Sequence, residues 1–196
     1  MDQEKVRDRV IEAADALYYA RGIQAVGMDA LREASGVSLK RLYRLFSSKE
    51  AIVLAVLQYR HHLWTDGVTT AVDRADSPRN RLLAVYDYLA DWFATDSFRG
   101  CGFINAFGEL GAVSPAVAEV ARLHKHSFQE YLSRLVADAG GTAELAAQLA
   151  ILAEGAQTTA AISGTTEPAR QARRAAETLI AAIDSPMPYA GEQPPQ

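Results

Sequence analysis

The chain of 196 residues contains one cysteine, Cys101, which excludes an internal disulfide and any zinc site built from several thiolates. No apolar run approaches the roughly 18 residues that a membrane-spanning helix needs, and the N-terminus carries no leader pattern. The expectation is a soluble, cytoplasmic protein with no membrane partner. Also missing are a Gly-rich phosphate loop, a nucleophile elbow and paired-cysteine metal spacings. The four histidines fall as His61-His62 and His124-x-His126, spacings at which helical side chains diverge, so neither pair chelates a metal. Glu109 and Cys101 make no recognisable catalytic arrangement, and Cys101 has no resolving cysteine for redox sensing. An enzyme reading therefore fares poorly, and neither a metal nor a cofactor is expected.

What is present is helix-forming sequence with an uneven charge. The net charge is -4, yet residues 1–60 hold ten Lys/Arg against eight Asp/Glu while residues 61–196 hold ten against sixteen. An acidic remainder is unsuited to wrapping nucleic acid, so any DNA contact belongs to the N-terminal quarter. With 49% hydrophobic residues the chain can bury a real core.

The most informative stretch is Met28 to Lys49, where two short amphipathic patterns meet at Ala34-Ser35-Gly36-Val37-Ser38. Gly36 can take the left-handed conformation that a tight helix–helix turn requires. Ser38 is placed to cap a helix from Leu39 to Phe46, with Leu42, Leu45 and Phe46 on one apolar face. Lys40, Arg41 and Arg44 occupy the other face, with no carboxylate among them and Tyr43 at the margin. An exposed basic second helix of a helix-turn-helix is a DNA-reading element. Ser47-x-x-Glu50 reads as a capping box for the next helix, with Lys49 in its first turn.

The remaining punctuation predicts helices throughout. The first spans about Glu4 to Ala20 and should complete a three-helix head with the helix-turn-helix. A connector follows from Ser48 to about Trp64, then helices from Ser77-Pro78 to about Thr95, over Phe103 to Leu110, from Ser114-Pro115 to about Ala139, from Ala143 to about Ser163, and from Glu167 to about Asp184. The predicted class is all-α: a DNA-binding head over residues 1–48, a helical ligand-binding and dimerisation body over 49–184, and a proline-rich disordered tail over 185–196.

The order of these features resembles the TetR family of bacterial transcriptional regulators. The resemblance rests on Ala34-Ser35-Gly36-Val37-Ser38, Leu42-Tyr43-x-x-Phe46 and Ser48-Lys49-Glu50, with looser support from Gly100-Cys101-Gly102-Phe103-Ile104-Asn105-Ala106. It implies a subunit of about nine helices, a homodimer formed through the last two, and a body that binds a small effector. It further implies that Ser38, Tyr43 and Lys49 meet the DNA backbone and that Lys40, Arg41 and Arg44 face the groove, where Arg can read guanine. Two positions depart from the pattern. Gly27 stands where the family often has a capping Thr, and Leu45 replaces a frequent polar residue.

The Ala-rich series with Leu149, Leu152 and Ala156 on one helix and Ala176, Leu179 and Ile183 on the next suits a four-helix bundle across a two-fold axis. Effector-lining residues are expected among Trp64, Tyr86, Phe93, Phe103, Phe107, His124, Phe128 and Gln157, which suit a small, largely apolar or aromatic compound. Each aromatic is individually explicable as plain core, and a histidine bonded to a backbone carbonyl is the plainer account of His124. The expected function is a DNA-binding regulator, specifically a repressor released from a palindromic operator by its effector. A helical dimerisation module, or less readily a small-molecule-binding enzyme, is the alternative, but neither accounts for the basic face of the reading helix.

Overall fold

The computed structural model describes residues 3–184, so the expectation for the tail at 185–196 lies outside the described residues. The described residues form nine α-helices and no strand: α1 (Gln3–Arg21), α2 (Met28–Ser35), α3 (Leu39–Leu45), α4 (Lys49–Asp73), α5 (Pro78–Phe93), α6 (Gly102–Leu110), α7 (Pro115–Asp138), α8 (Ala143–Ser163) and α9 (Glu167–Ala181). A single 3-10 turn, Ala182–Asp184, follows α9.

Local chemistry sets most of the boundaries. Gly36 adopts φ 63° and ψ 23° between α2 and α3, the left-handed turn its position demanded. Ser77, Ser114 and Thr142 each accept a backbone N–H three residues on, from Asn80, Val117 and Leu145, at 3.2–3.3 Å. Pro78 and Pro115 stand in the first turn of their helices, where a missing N–H leaves no intrahelical bond unmade.

The connector α4 is the main departure: it continues through Trp64 to Asp73, more than two turns beyond the expected end. At Gly67 the ring end of Tyr88 from α5 lies against the helix: a Cβ there would sit 2.6 Å from the Tyr88 hydroxyl, so a larger residue would have to displace that side chain. Past it, Val68 and Val72 extend the buried stripe and hold the extra turns in place.

Two apolar cores result. The upper one joins Val6, Val10 and Ala14 of α1 to Leu31 of α2, Leu42 of α3, Ile52 and Val56 of α4, and Phe103 and Ala106 of α6. The lower one is centred on α5, whose Leu82, Val85, Tyr86 and Leu89 pack against α4, α7, α8 and α9. Helix α4 contributes to both, so it is the shared wall between the reading head and the helical body.

Candidate nucleic-acid interface and effector cleft

Helix α3 presents its cationic face as its spacing predicts: Leu42 is fully buried while Lys40, Tyr43 and Arg44 are exposed, Tyr43 at 54%. Arg41 is half-buried, with its Nε enclosed and without an acceptor among the described residues. Ser38 stands at the N-cap with extended backbone, but its side chain makes no capping bond. Its carbonyl accepts the N–H groups of Arg41 and Leu42, each at 2.9 Å, and its hydroxyl remains exposed. Gly27 likewise supplies no side-chain cap to α2.

Three expectations around α4 require correction. The capping residue is Ser48, not Ser47: the Ser48 hydroxyl accepts the Ala51 N–H at 3.1 Å. Glu50 does not reach back into a capping box, because its carboxylate accepts a hydrogen bond from the Ser114 hydroxyl at the start of α7. Lys49 is not a free phosphate contact here. Its ammonium donates to the Ile23 carbonyl at 2.6 Å and lies 6.0 Å from the centre of the Tyr18 ring, tying α4 to the α1–α2 loop.

The expected effector residues separate into two groups. Trp64, Phe103, His124 and Phe128 converge. Phe103 stacks on His124 with ring centres 3.6 Å apart and planes 4° apart, while Trp64 meets His124 and Phe128 edge-on at 5.5 and 4.9 Å. The others do not join them. Tyr86 is fully buried in the lower core and donates its hydroxyl to the Leu149 carbonyl at 2.8 Å. Phe93 packs against Trp92 and Phe98. Gln157 is buried with its amide directed to its own helix, 3.4 Å from the Ala153 carbonyl. Phe107, at 52% exposure, lines a surface groove with Ile104 and Arg122 that Phe103 borders from its other side.

His61 is the member of this cluster that sequence reasoning missed. Its Nδ1 lies 3.0 Å from Nδ1 of His124, so the partner of the buried His124 is another imidazole rather than a backbone carbonyl. Burial drives His124 down to about 3, aided by the positive charge of Lys125, and also lowers His61, so the pair is neutral at pH 7. Both rings line a cleft of about 790 Å³ between α4 and α7. Ala55, Val120 and Leu123 are among its apolar walls, and Arg7 of α1 lies at its edge. No spacing in the sequence pairs positions 61 and 124; only the side-by-side packing of α4 and α7 does so.

Residues 10–56 match the profile described as bacterial regulatory proteins of the tetR family, and residues 78–176 match that of the tetracyclin repressor-like C-terminal domain. The chain belongs to the TetR family. Among proteins similar to this TetR-family regulator is the HTH-type transcriptional activator FasR of Mycolicibacterium smegmatis, 29% identical over 152 residues, which span 77% of this chain and 68% of FasR. The crystal structure of SCO4454, a TetR-family transcriptional regulator from Streptomyces coelicolor, superposes with a TM-score of 0.86 at 25% identity, covering 93% of this chain and 97% of that one. The reduced form of NemR from E. coli shares the fold, with a TM-score of 0.80 at 22% identity over 89% and 96% of the two chains. The protein is accordingly a DNA-binding transcriptional regulator, and the helix-turn-helix is its DNA-binding element.

In this TetR-family regulator the head is fastened to α6. Glu109 accepts the backbone N–H of Ile23 at 3.0 Å and of Gln24 at 2.8 Å, and the Gln24 side-chain amide donates to the Glu109 carbonyl at 2.7 Å. Tyr19 of α1 donates to the Gly100 carbonyl at 2.7 Å and accepts the Arg99 N–H at 2.9 Å. Arg60 of α4 forms a two-pronged ion pair with Asp15 of α1 and lies 3.6 Å over the Tyr19 ring. Burial raises the Asp15 carboxyl by more than Arg60 lowers it, which marks this junction as desolvated.

The α8–α9 face also differs in detail from expectation. Leu149, Ala156 and Ala176 point into the subunit, at 0%, 5% and 0% exposure, because α8 and α9 both pack on α5 through those positions. They are unavailable to a second chain. The outward groove, about 550 Å³, is lined by Gln148, Ile151, Leu152, Ala175, Thr178 and Leu179, with Ile151 71% exposed. Leu152, Leu179 and Ile183 remain half-buried at the edge of this outer face.

Proposed function

We infer that the regulator binds a palindromic operator as a homodimer, with α3 of each subunit in successive major grooves, and releases it when a small apolar compound enters the α4–α7 cleft. Residues 1–48 are the reading head in this scheme and residues 49–184 the body that dimerises and takes the ligand. Lys40, Arg44 and Tyr43, exposed on one face of α3, are the groove and backbone contacts, with the free Ser38 hydroxyl on a phosphate. Ile151, Leu152, Leu179 and Ile183 supply the apolar part of the dimer face.

The observation that carries the ligand reading is the position of the cleft. It is walled by the helix that connects head and body, it borders Arg7 of α1, and its His124 stacks on Phe103 of α6, the helix whose Glu109 holds the α1–α2 loop. An occupant that shifts α4 against α7 thereby changes the spacing of the two recognition helices. A ligand acts only through its unequal affinity for the two spacings, and a coupling of about 1–3 kcal/mol gives a change of about 5–150-fold in operator affinity.

The testing experiment is selection of bound fragments from random DNA by the purified protein at fixed salt, followed by sequencing. A palindromic consensus with half-sites about 10 base pairs apart, or a multiple of that, is the expected result. The absence of enrichment over salt-dependent background would overturn the proposal of a dimeric operator reader. The proposed sign is repression, with the loop that enters the helix-turn-helix held by Glu109 and Lys49; a transcription assay in which the protein raises output from its operator would reverse that sign.

A further inference from the structure

We propose that the α4–α7 cleft takes a neutral, elongated apolar compound carrying one hydroxyl group, and that the His61–His124 pair receives that hydroxyl. The inference rests on the reading of this cleft as the effector site and specifies its ligand class.

The pair itself limits what it can accept. Two ring nitrogens 3.0 Å apart hold one hydrogen between them, since two bare nitrogens repel and two N–H groups collide. One ring is therefore protonated on Nδ1 and bare on Nε2, and the other has the reverse arrangement. The two Nε2 atoms lie on opposite sides of the pair, too far apart for one group to bridge, so an occupant reaches one of them, a donor or an acceptor according to where the shared hydrogen sits. A hydroxyl both donates and accepts, so it satisfies the pair in either arrangement. A carboxylate only accepts. It is limited to the arrangement with N–H towards it, its charge would lie unpaired in an apolar trough, and charging the ring to pair it is opposed by burial and by Lys125 beside His124. Lys125 offers no relief, because its ammonium is bound to Glu154 at 2.6 Å and to Cys101 Sγ at 3.3 Å. The other charged groups at the cleft are Glu119, paired with Arg122, and Arg7, stacked on Phe46 at 4.5 Å. His62, on the neighbouring position of α4, is exposed and adds only to the lowering of His61.

The walls set the shape. Along α4 the lining runs from Ala51 to His61 and along α7 from Ala116 to Ser127, a trough about 15 Å long at about 1.5 Å per residue. Its sides include Leu54, Ala55, Val120 and Leu123; the uncharged polar groups beside the histidines are Gln58 and Ser127, whose hydroxyl donates to the His124 carbonyl at 2.9 Å. The volume of about 790 Å³ lies within the range of about 300–1,000 Å³ typical of small-molecule sites.

Three probes of equal length separate the chemistries: 4-butylphenol, 4-butylbenzoate and butylbenzene, titrated calorimetrically into the full chain at pH 7.5. The expected result is that the phenol binds at least about tenfold more tightly than either analogue. In His61→Phe, with folding checked by its thermal melt, the phenol should fall to the level of butylbenzene. His61→Gln, which retains a donor and an acceptor, should recover part of the preference. Equal binding of all three probes, tightest binding of the benzoate, or an unchanged preference in His61→Phe would overturn the hydroxyl assignment while leaving the cleft as an apolar ligand site. Failure of every probe to bind would overturn the cleft reading and the ligand class together.

Discussion

Glu109 and Gln24 hold one another twice: the Gln24 backbone N–H donates to the Glu109 carboxylate at 2.8 Å, and the Gln24 side-chain amide donates to the Glu109 backbone carbonyl at 2.7 Å. The same carboxylate also takes the Ile23 N–H, while Lys49 holds the Ile23 carbonyl from the other side. The loop entering the helix-turn-helix is thus fixed from α6 and α4 together, and α6 also carries Phe103, stacked on His124, less than two turns from Glu109.

Removing that anchor should loosen the head without unfolding the body. Glu109→Ala deprives two loop N–H groups of their acceptor, at a cost of about 1–2 kcal/mol, which lowers Tm by about 2–8 °C in a chain of this size. Glu109→Gln, which keeps one acceptor oxygen, should lose less. Differential scanning calorimetry orders the three proteins, and a gel-shift titration should show the alanine variant binding its operator more weakly.

Charge reversal on the reading helix should abolish specific binding. Arg44 is exposed and makes no ion pair among the described residues, so Arg44→Glu costs the fold little and places an anion against the groove. Operator binding should fall by more than about 100-fold, with the sedimentation coefficient unchanged. Normal operator binding by this variant would remove α3 from the interface.

The outer α8–α9 face should control assembly. Ile151→Glu combined with Leu179→Glu should give folded monomers by sedimentation, since Ile151 is 71% exposed and Leu179 lies at the rim of the same groove. Leu149→Glu serves as the contrast: Leu149 is fully buried inside the subunit, and a charge there should unfold the chain. A dimer that survives the double substitution would place the interface elsewhere.

Acid should weaken the fold through the histidine pair. His124 in the folded chain is lowered to about 3 and His61 is also lowered, against 6.5 when unfolded. Between those values the unfolded chain binds more protons, so this stability is fully present above about pH 6.5 and is lost as the pH falls towards 3. Asp15, raised by burial, acts in the opposite sense, its contribution being present at low pH and lost as its carboxyl ionises. Urea midpoints measured at pH 7.5 and 5.5 should drop on acidification, and His124→Phe should flatten that dependence.

Much of the fold was legible because it is specified by residues within four positions of one another. Gly36, the Ser-Pro starts at Ser77 and Ser114, and the period of Leu42, Leu45 and Phe46 each act through local backbone geometry or one helix face. The exposed cations Lys40 and Arg44 follow from that periodicity, so the basic outer face of α3 was legible too. The end of α4 was not legible, because the turns past Trp64 are held by Val68 and Val72 packing into the lower core.

By itself the sequence determined an all-helical chain with a basic helix-turn-helix at its start, since helix period, caps and charge are properties of neighbouring residues. Tertiary structure alone decided that His61 pairs with His124, that Lys49 turns towards Ile23 rather than outward, and that Leu149 faces inward while Ile151 faces out. The reason is geometric. An Ala-rich helix such as α8 has apolar residues all round it, so which face is enclosed depends on where α5, α7 and α9 lie. Partners 63 positions apart meet only when two helices have packed at a particular offset, and that offset is set by the whole core rather than by either helix.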